Sequence, residues 1–230
     1  MDTRGLAASN GVHNAASVYP KGETERLSGC LTRLRPHVRL DEIALAGGVA
    51  ISLRVAETGM AAWRHSIPDL DFVARRREAI ASSVAEEFLV CHYHLPQPGY
   101  PKFLVMVADS VSRIRVDVFP DLVGFIGKAQ PMSVCGLPWL VLDFESMLDH
   151  KLLTLAEASE RRPVDEKHHR DAVLLAKLLG RSVPDVPPTS FRTDVYSTDL
   201  DAQCARCEAS RDPAFPLAPK RRVFELLGYV

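Results

Sequence analysis

The chain has 230 residues, of which 47% are hydrophobic and 25% are charged, and its formal net charge at pH 7 is −1. This balance is that of a globular protein with a sizeable core. The chain has no overall basic charge that would indicate nonspecific binding to nucleic acids, although its net charge does not exclude a local basic surface. No apolar run approaches the roughly 18–20 residues that cross a bilayer, so no membrane partner is expected.

Residues 1–22 are mostly small and polar and predict a flexible N-terminal segment without the apolar run of a signal peptide. The number of cysteines is odd, and three of the five lie among apolar residues. Because a secreted disulfide framework needs paired cysteines, we expect a protein of the reducing cytoplasm. Cys204 and Cys207 could form half of a zinc site, but no second pair is evident, so we expect reduced thiols.

The first part of the chain predicts alternating helices and strands. Apolar residues recur every three or four positions at the start, which indicates an amphipathic helix, and short apolar runs bounded by glycine or proline then indicate strands. The predicted elements are a helix over 24–37, a strand over 43–46, a helix over 49–55, a strand over 69–74, a helix over 76–88, a strand over 89–94 and a hairpin over 103–119.

From about residue 136 onward the pattern becomes helical. Apolar residues at helical spacing predict a helix over 142–160 with Asp143 as its cap, and a second helix that ends at Gly180. A proline-rich linker and a short last helix follow. We therefore predict an α/β domain over residues 23–135 and a helical C-terminal region over residues 136–230.

Asp69 and Asp71 lie two residues apart on a predicted strand. Because successive side chains point to opposite faces, both carboxylates share one face, while Leu70 and Phe72 point into a core. Two carboxylates about 7 Å apart along a strand repel each other unless a cation lies between them, and Mg²⁺ is a hard cation that prefers such ligands. The alternative is a solvated strand end after Pro68.

Asp117 is an acidic residue inside the apolar strand segment Arg115–Phe119. A carboxylate in such a strand needs a partner. Either Arg115 supplies it as a surface ion pair, or Asp117 is the third carboxylate of a metal cluster on a neighbouring strand.

Gly47 and Gly48 end one predicted strand and open a helix. The free N–H groups and positive dipole end of a helix N-terminus bind phosphate, and glycine lets the ligand approach the backbone. A purely structural turn is the alternative.

These features stand in one order: LAGGVAISLR, RHSIPDLDFV, RVDVF and the helix LDFESMLDHKLLTL. In that order they resemble the nucleotidyltransferase superfamily, and most of all the small bacterial branch that includes the abortive-infection nucleotidyltransferase toxins of type IV toxin–antitoxin systems. The resemblance covers about residues 40–180. It implies an α+β fold, with a mixed β-sheet flanked by helices and followed by a helical C-terminal region.

The resemblance also implies a role for each matching residue of the glycine turn and the strands. Gly47 and Gly48 would hold the phosphates of a nucleoside triphosphate. Asp69 and Asp71 would bind Mg²⁺, with two ions expected. Asp117 would complete the metal site and help to deprotonate the acceptor hydroxyl.

Four further positions follow from the resemblance. Lys151 would reach the triphosphate, and Ser66 would contribute to nucleotide binding. Arg64 matches a position that flanks the two aspartates, and Asp171 matches a later acidic position.

The predicted function is therefore transfer of a nucleoside monophosphate from a nucleoside triphosphate to an acceptor, with Mg²⁺ as cofactor. The acceptor is left open among RNA, a protein and a small molecule, and a toxin-like role would bring an antitoxin partner. Two alternatives remain: a member of the same fold that binds a nucleotide or a partner without catalysis, and an antibiotic nucleotidyltransferase.

Overall fold

A seven-stranded mixed sheet forms the centre of the molecule in a computed structural model that describes residues 18–60, 63–96, 102–161, 164–183 and 215–228. The strand order across the sheet is β3-β4-β5-β2-β1-β7-β6. The strands are β1 (Ile43–Ala46), β2 (Asp69–Ala74), β3 (Leu89–His94), β4 (Leu104–Asp109), β5 (Ile114–Pro120), β6 (Gln130–Val134) and β7 (Leu137–Val141).

Helices flank this sheet. The described helices are α1 (Lys21–Leu34), α2 (Gly47–Glu57), the short α3 (Val84–Glu87), α4 (Phe144–Arg161), α5 (Glu166–Leu178) and α6 (Lys220–Leu227). The side chain of Asp143 accepts a hydrogen bond from the backbone of Ser146 at 2.7 Å, which caps α4 as predicted. The predicted fold class, a mixed sheet flanked by helices, is confirmed.

The pairing of three central strands brings the end of β1 to the middle of the sheet. β1 runs antiparallel to β2, so that Ala46, the last residue of β1, lies opposite Asp71. β2 runs parallel to β5, so that Asp71 lies beside Asp117. Ala46, Asp71 and Asp117 therefore form one row across three neighbouring strands, and the turn after β1 starts at that row.

The alternation expected for β2 is observed. Leu70 and Phe72 are fully buried on the core side, and the Phe72 ring packs against Trp139 with a centroid distance of 5.4 Å. Asp69 and Asp71 are partly buried on the other side. This period of two fixes which face of the sheet carries the acidic residues.

Two predicted elements differ from the structure. Residues 76–88 do not form one helix; a 3₁₀ turn at Arg77–Ala79 precedes the short α3, because Ile80 forms a β-bridge with Val38 between them. The hairpin of β6 and β7 was not predicted, since Pro131 and Pro138 interrupt the apolar pattern of its strands. β7 extends beyond the boundary predicted at residue 135 and pairs with β1.

Packed structure begins closer to the N-terminus than predicted, within the segment 1–22 that was expected to be flexible. Val18 and Tyr19 are buried, and α1 begins at Lys21 rather than after residue 23. Among the described helices, none combines the length and the apolar character needed to cross a bilayer.

Candidate active site

Four charged residues of β2 and β5 form a square on one face of the sheet. Asp69 lies beside Arg115, and Asp71 lies beside Asp117, in the register of the two parallel strands. Each strand contributes two residues at positions i and i+2, which point to the same face. We call this group, Asp69, Asp71, Arg115 and Asp117, the charged square. Its three carboxylates and one guanidinium give a formal charge of −2.

Arg115 links two corners of the charged square. Its Nε donates to both carboxylate oxygens of Asp117, at 2.9 and 3.1 Å, and its terminal nitrogen donates to Asp69 Oδ2 at 3.1 Å. Arg115 is 7% exposed and Asp117 is 5% exposed. Arg115 is therefore the partner of Asp117, as the alternative expected, but the pair is buried rather than on the surface.

Asp71, diagonal to Arg115, has neither a hydrogen bond nor an ion pair with any residue in the described ranges. Burial, followed by the negative charge of Asp69, raises the pKa of Asp71. Burial also raises the pKa of Asp117 to about 7; Arg115 opposes this shift, while Asp71 and Asp69 add to it. Both shifts arise chiefly from burial, which disfavours the charged form of a carboxyl group.

The pKa of Asp69 is shifted in the opposite direction, downward. Its own burial raises its pKa, but the positive charges of Lys167 and Arg115 outweigh burial, and the net pKa is lowered. Lys167 of α5 places its Nζ 3.4 Å from Asp69 Oδ2. Arg115 therefore pairs with Asp69 and Asp117, and Asp71 is the carboxylate of the square without an ion pair among the described residues.

Gly47 is pressed against Asp71. It is the first residue of α2, it has a φ of +64°, and an added Cβ would overlap the Asp71 carboxylate. Glycine is required here twice, for the left-handed backbone and for the close approach. The turn and the acidic residues thus form one site.

Replacement of Gly47 with alanine should destabilise the protein by about 2 kcal/mol or more, because left-handed strain of about 1–2 kcal/mol adds to the overlap with Asp71. Gly59→Ala is the matched control, since Gly59 also has a positive φ, of +78°, but has open space around its missing Cβ. Urea denaturation of both variants measures the difference. Equal losses of stability would contradict the close approach.

The start of α2 is the expected phosphate-binding end of a helix. Its N-cap, Ala46, makes no side-chain hydrogen bond to the helix, and no acidic residue lies in the first turn. Arg64 covers Gly48, with its Nε 3.1 Å from the position of an added Cβ, and that Nε is buried without a hydrogen-bond partner in the described part of the chain. Unpaired donors next to a helix N-terminus suit an anion.

Asp171 of α5 organises the cationic side of the site. It is 1% exposed, and it accepts hydrogen bonds from Trp63 Nε1 at 3.0 Å and from Arg64 at 2.7 Å. Lys151 of α4 forms an ion pair with it at 3.0 Å. Burial raises the pKa of Asp171, but Lys151 and Arg64 more than offset this and lower it overall. The carboxylate is ionised and orients both cations.

Lys151 is buried, with 5% of its surface exposed, and its Nζ lies 3.3 Å from His168 Nδ1. Burial, with the charges of Lys151 and Lys167, lowers the pKa of His168 to about 2. His168 is therefore neutral and accepts a hydrogen bond from Lys151. A lysine held by one aspartate and one neutral histidine is not a solvated surface residue.

The predicted site residues thus fall into two groups. Three carboxylates, with Gly47 and Gly48, meet at the end of β1, and Lys151, Arg64 and Asp171 form a neighbouring cluster. Ser66 is exposed in the segment before β2, and no contact of its side chain gives it a role, so its assignment stays a prediction.

Mg²⁺ is the cofactor that the predicted function implies, and the donor set fits its chemistry in part. Three hard carboxylate ligands converge, and Asp71 lacks a partner among the described residues. However, no three acidic, histidine or cysteine side chains in those residues are arranged as a ready metal-ligand set, and Arg115 is bonded to Asp117 and Asp69.

Sequence reasoning missed several contributors to the site. Lys167, Trp63 and His168 were not assigned to it, and Arg115 was considered only as a surface partner of Asp117. The spacing of Lys167 and Asp171 at i and i+4 on one helix face was a usable signal. Cys204 and Cys207 lie outside the described residues. His92 and His94 contact each other on the edge strand β3, away from the site.

No protein-family model and no curated protein match the sequence. Among solved structures, the chain is similar to an antigenic nucleotidyltransferase-like protein from Paracoccidioides brasiliensis, at 16% identity and a TM-score of 0.37, over 96% of this chain and 94% of that one. It is also similar to JHP933 from Helicobacter pylori, at 13% identity and a TM-score of 0.40, over 90% of this chain and 88% of that one. Likenesses of this degree do not establish a family, and the function proposed below rests on the site itself.

Proposed function

We propose that the protein transfers a nucleoside monophosphate from a nucleoside triphosphate to an acceptor hydroxyl. The observation that carries this proposal is the convergence of three carboxylates on a glycine turn at a helix N-terminus, with Asp71 against Gly47. Carboxylates bind divalent cations, and the turn binds phosphate, so both parts of a metal–triphosphate complex have a place in one site.

Asp69, Asp71 and Asp117 would hold Mg²⁺, which when bound neutralises the charge that develops on the triphosphate during transfer. Asp117 is also the group that would accept the proton of the acceptor hydroxyl. Asp71 matters most to the metal, because its carboxylate has no other partner in the described part of the protein. Gly47 would keep that carboxylate next to the turn.

Lys151, Lys167 and Arg64 would bind the triphosphate from the helical side of the site. Asp171 orients Lys151 and Arg64, and Lys167 contacts Asp69 at 3.4 Å. Positive charge here stabilises the leaving pyrophosphate, which is the main electrostatic task in such a transfer. The positions of these three cations next to the carboxylates support transfer better than metal storage.

The test uses two radiolabels. The full-length protein is incubated with Mg²⁺ and each nucleoside triphosphate, labelled on the α- or the γ-phosphate, and with RNA, protein or small-molecule acceptors, aminoglycosides included. We expect the α-label on one acceptor class and the γ-label in pyrophosphate. Transfer of the γ-label would instead identify a kinase. An RNA or protein acceptor favours the toxin-like role with its antitoxin, and a small molecule favours an antibiotic-modifying enzyme.

A second candidate is a protein of the same fold that binds a nucleotide without transfer. The specific observation in its favour is Arg115, which already compensates Asp69 and Asp117 without a metal ion. Nucleotide binding that is independent of Mg²⁺, with no α-label on any acceptor, would support it over the transferase.

A further inference from the structure

The charged square contains a positive group, the guanidinium of Arg115, between two of its carboxylates. Arg115 makes three hydrogen bonds to Asp117 and Asp69, and its side chain is buried between them. We infer that a divalent cation and the Arg115 guanidinium bind the same carboxylates alternately, so that Arg115 is a positioning residue that closes the metal-free site and is released when metal binds. This inference rests on the proposed function.

The first argument is the occupancy of the carboxylate oxygens. Both oxygens of Asp117 accept from Arg115 Nε, and Asp69 Oδ2 accepts from both Arg115 and Lys167. Asp71 alone among the three presents a carboxylate that is not engaged by a described residue. A metal ion that uses Asp71 and Asp117 therefore meets two Asp117 oxygens that already accept from Arg115.

The second argument is charge. A divalent ion bound to Asp117 or Asp69 would be brought close to the guanidinium that contacts the same oxygens. Two cations at such a separation repel strongly in a partly buried site, where screening by water is weak. Arg115 remains charged at any pH that the protein experiences, so it cannot avoid this repulsion by losing a proton.

The third argument is the need for a resident cation. Without Arg115, the square would hold three carboxylates at neighbouring positions of two paired strands, with no guanidinium among them. Arg115 bridges the carboxylates of Asp69 and Asp117.

Direct observation of Arg115 tests the exchange. In ¹⁵N NMR spectra of the full-length protein, the Arg115 Nε–H signal is assigned through its connection to the backbone resonances of Arg115 in the wild type. We expect saturating Mg²⁺ to shift this signal away from its hydrogen-bonded position. An unmoved signal at saturation would overturn the inference, because Arg115 would then share the carboxylates with the metal.

Calorimetric titration with Mn²⁺ alone provides the second measurement. Arg115→Gln should bind Mn²⁺ at least about tenfold more tightly than the wild type, since the competing charge is gone. Arg33→Gln is the matched control: Arg33 pairs with buried Asp109 outside the site, and its loss should leave Mn²⁺ affinity unchanged.

The outcomes separate the two proposals. Equal Mn²⁺ affinity in the wild type and in Arg115→Gln overturns the exchange and leaves the proposed function standing. Absence of Mn²⁺ binding in both proteins overturns the exchange, whereas the proposed function is overturned by absence of α-label transfer in the presence of Mg²⁺. If Arg115→Gln does not fold, the signal of Arg115 in the wild type still decides.

Discussion

Replacement of Asp71 with asparagine should abolish nucleotidyl transfer while the fold persists. The amide keeps the shape of the side chain but removes the charge that binds Mg²⁺. Since a bound metal contributes several kcal/mol to stabilising the transition state, we expect the rate of α-label transfer to fall at least about a thousandfold, which corresponds to about 4 kcal/mol. Binding of Mg²⁺ with the nucleotide should weaken as well.

The stability of the metal-free variant distinguishes this role from a structural one. Asp71 has no hydrogen bond or ion pair among the described residues, and its pKa is raised by burial and by Asp69. Loss of its charge therefore relieves repulsion, and the melting temperature without metal should hold steady or rise. A structural aspartate would behave in the opposite way.

Asp121→Asn is the control for a structural carboxylate. Asp121 accepts hydrogen bonds from the backbone of Phe125 at 2.7 Å and of Ile126 at 2.9 Å, at the start of a 3₁₀ turn. Its replacement should cost about 1 kcal/mol and leave transfer intact. Thermal melts of both variants, with and without Mg²⁺ and nucleotide, give the comparison. An unchanged stabilisation by Mg²⁺ and nucleotide in Asp71→Asn would rule out the metal role.

The sheet residues around the site could be predicted from the sequence, because strand alternation and a glycine turn each depend only on neighbouring residues. Alternation placed Asp69 and Asp71 on one face and Leu70 and Phe72 in the core, as observed. The glycine pair predicted the turn between β1 and α2. By contrast, the β6–β7 hairpin turns through Cys135 and Gly136, both with positive φ, and proline in its strands concealed it.

The cations of the site could not be derived from local pattern, because they reach it by tertiary packing. Lys167 comes from α5, 98 residues after Asp69, and Lys151, which pairs with Asp171 of α5, comes from α4. Arg115 was visible beside Asp117 in the sequence. Its second contact, to Asp69, depends on the parallel pairing of β2 and β5, which no local pattern specifies.

Replacement of Asp171 with asparagine should give the largest loss of stability among the site variants. One buried carboxylate holds Arg64, Lys151 and Trp63, and removal of its charge leaves Lys151 buried with His168 as its remaining described partner. Removal of one partner from a buried ion pair typically costs about 3–5 kcal/mol. Nucleotide binding should also weaken, because Arg64 and Lys151 lose the group that orients them toward the triphosphate.

Asp109→Asn separates these two effects. Asp109 is also fully buried and accepts from Arg33, Ser112 and the backbone of Val111, at the turn between β4 and β5. Its replacement should destabilise the protein comparably but leave nucleotide affinity unchanged. The affinity is measured by calorimetry at a temperature at which both variants are folded. If both variants lose nucleotide binding equally, Asp171 acts only through stability.

The free energies of unfolding of the wild type and of Asp171→Asn should differ by an amount that depends on pH, and this dependence tests whether Asp171 is ionised beside Lys151 and Arg64. The pKa of Asp171 is lowered in the folded protein, so its contribution is fully present above the ordinary aspartate pKa of about 3.9. It is lost as the pH falls below that value, through the lower pKa of the folded state. Urea denaturation should therefore give a constant difference in unfolding free energy between pH 8 and about pH 5, and a smaller one only in stronger acid. A difference that already shrinks between pH 7 and pH 6 would mean that Asp171 is not the ionised partner of Lys151 and Arg64.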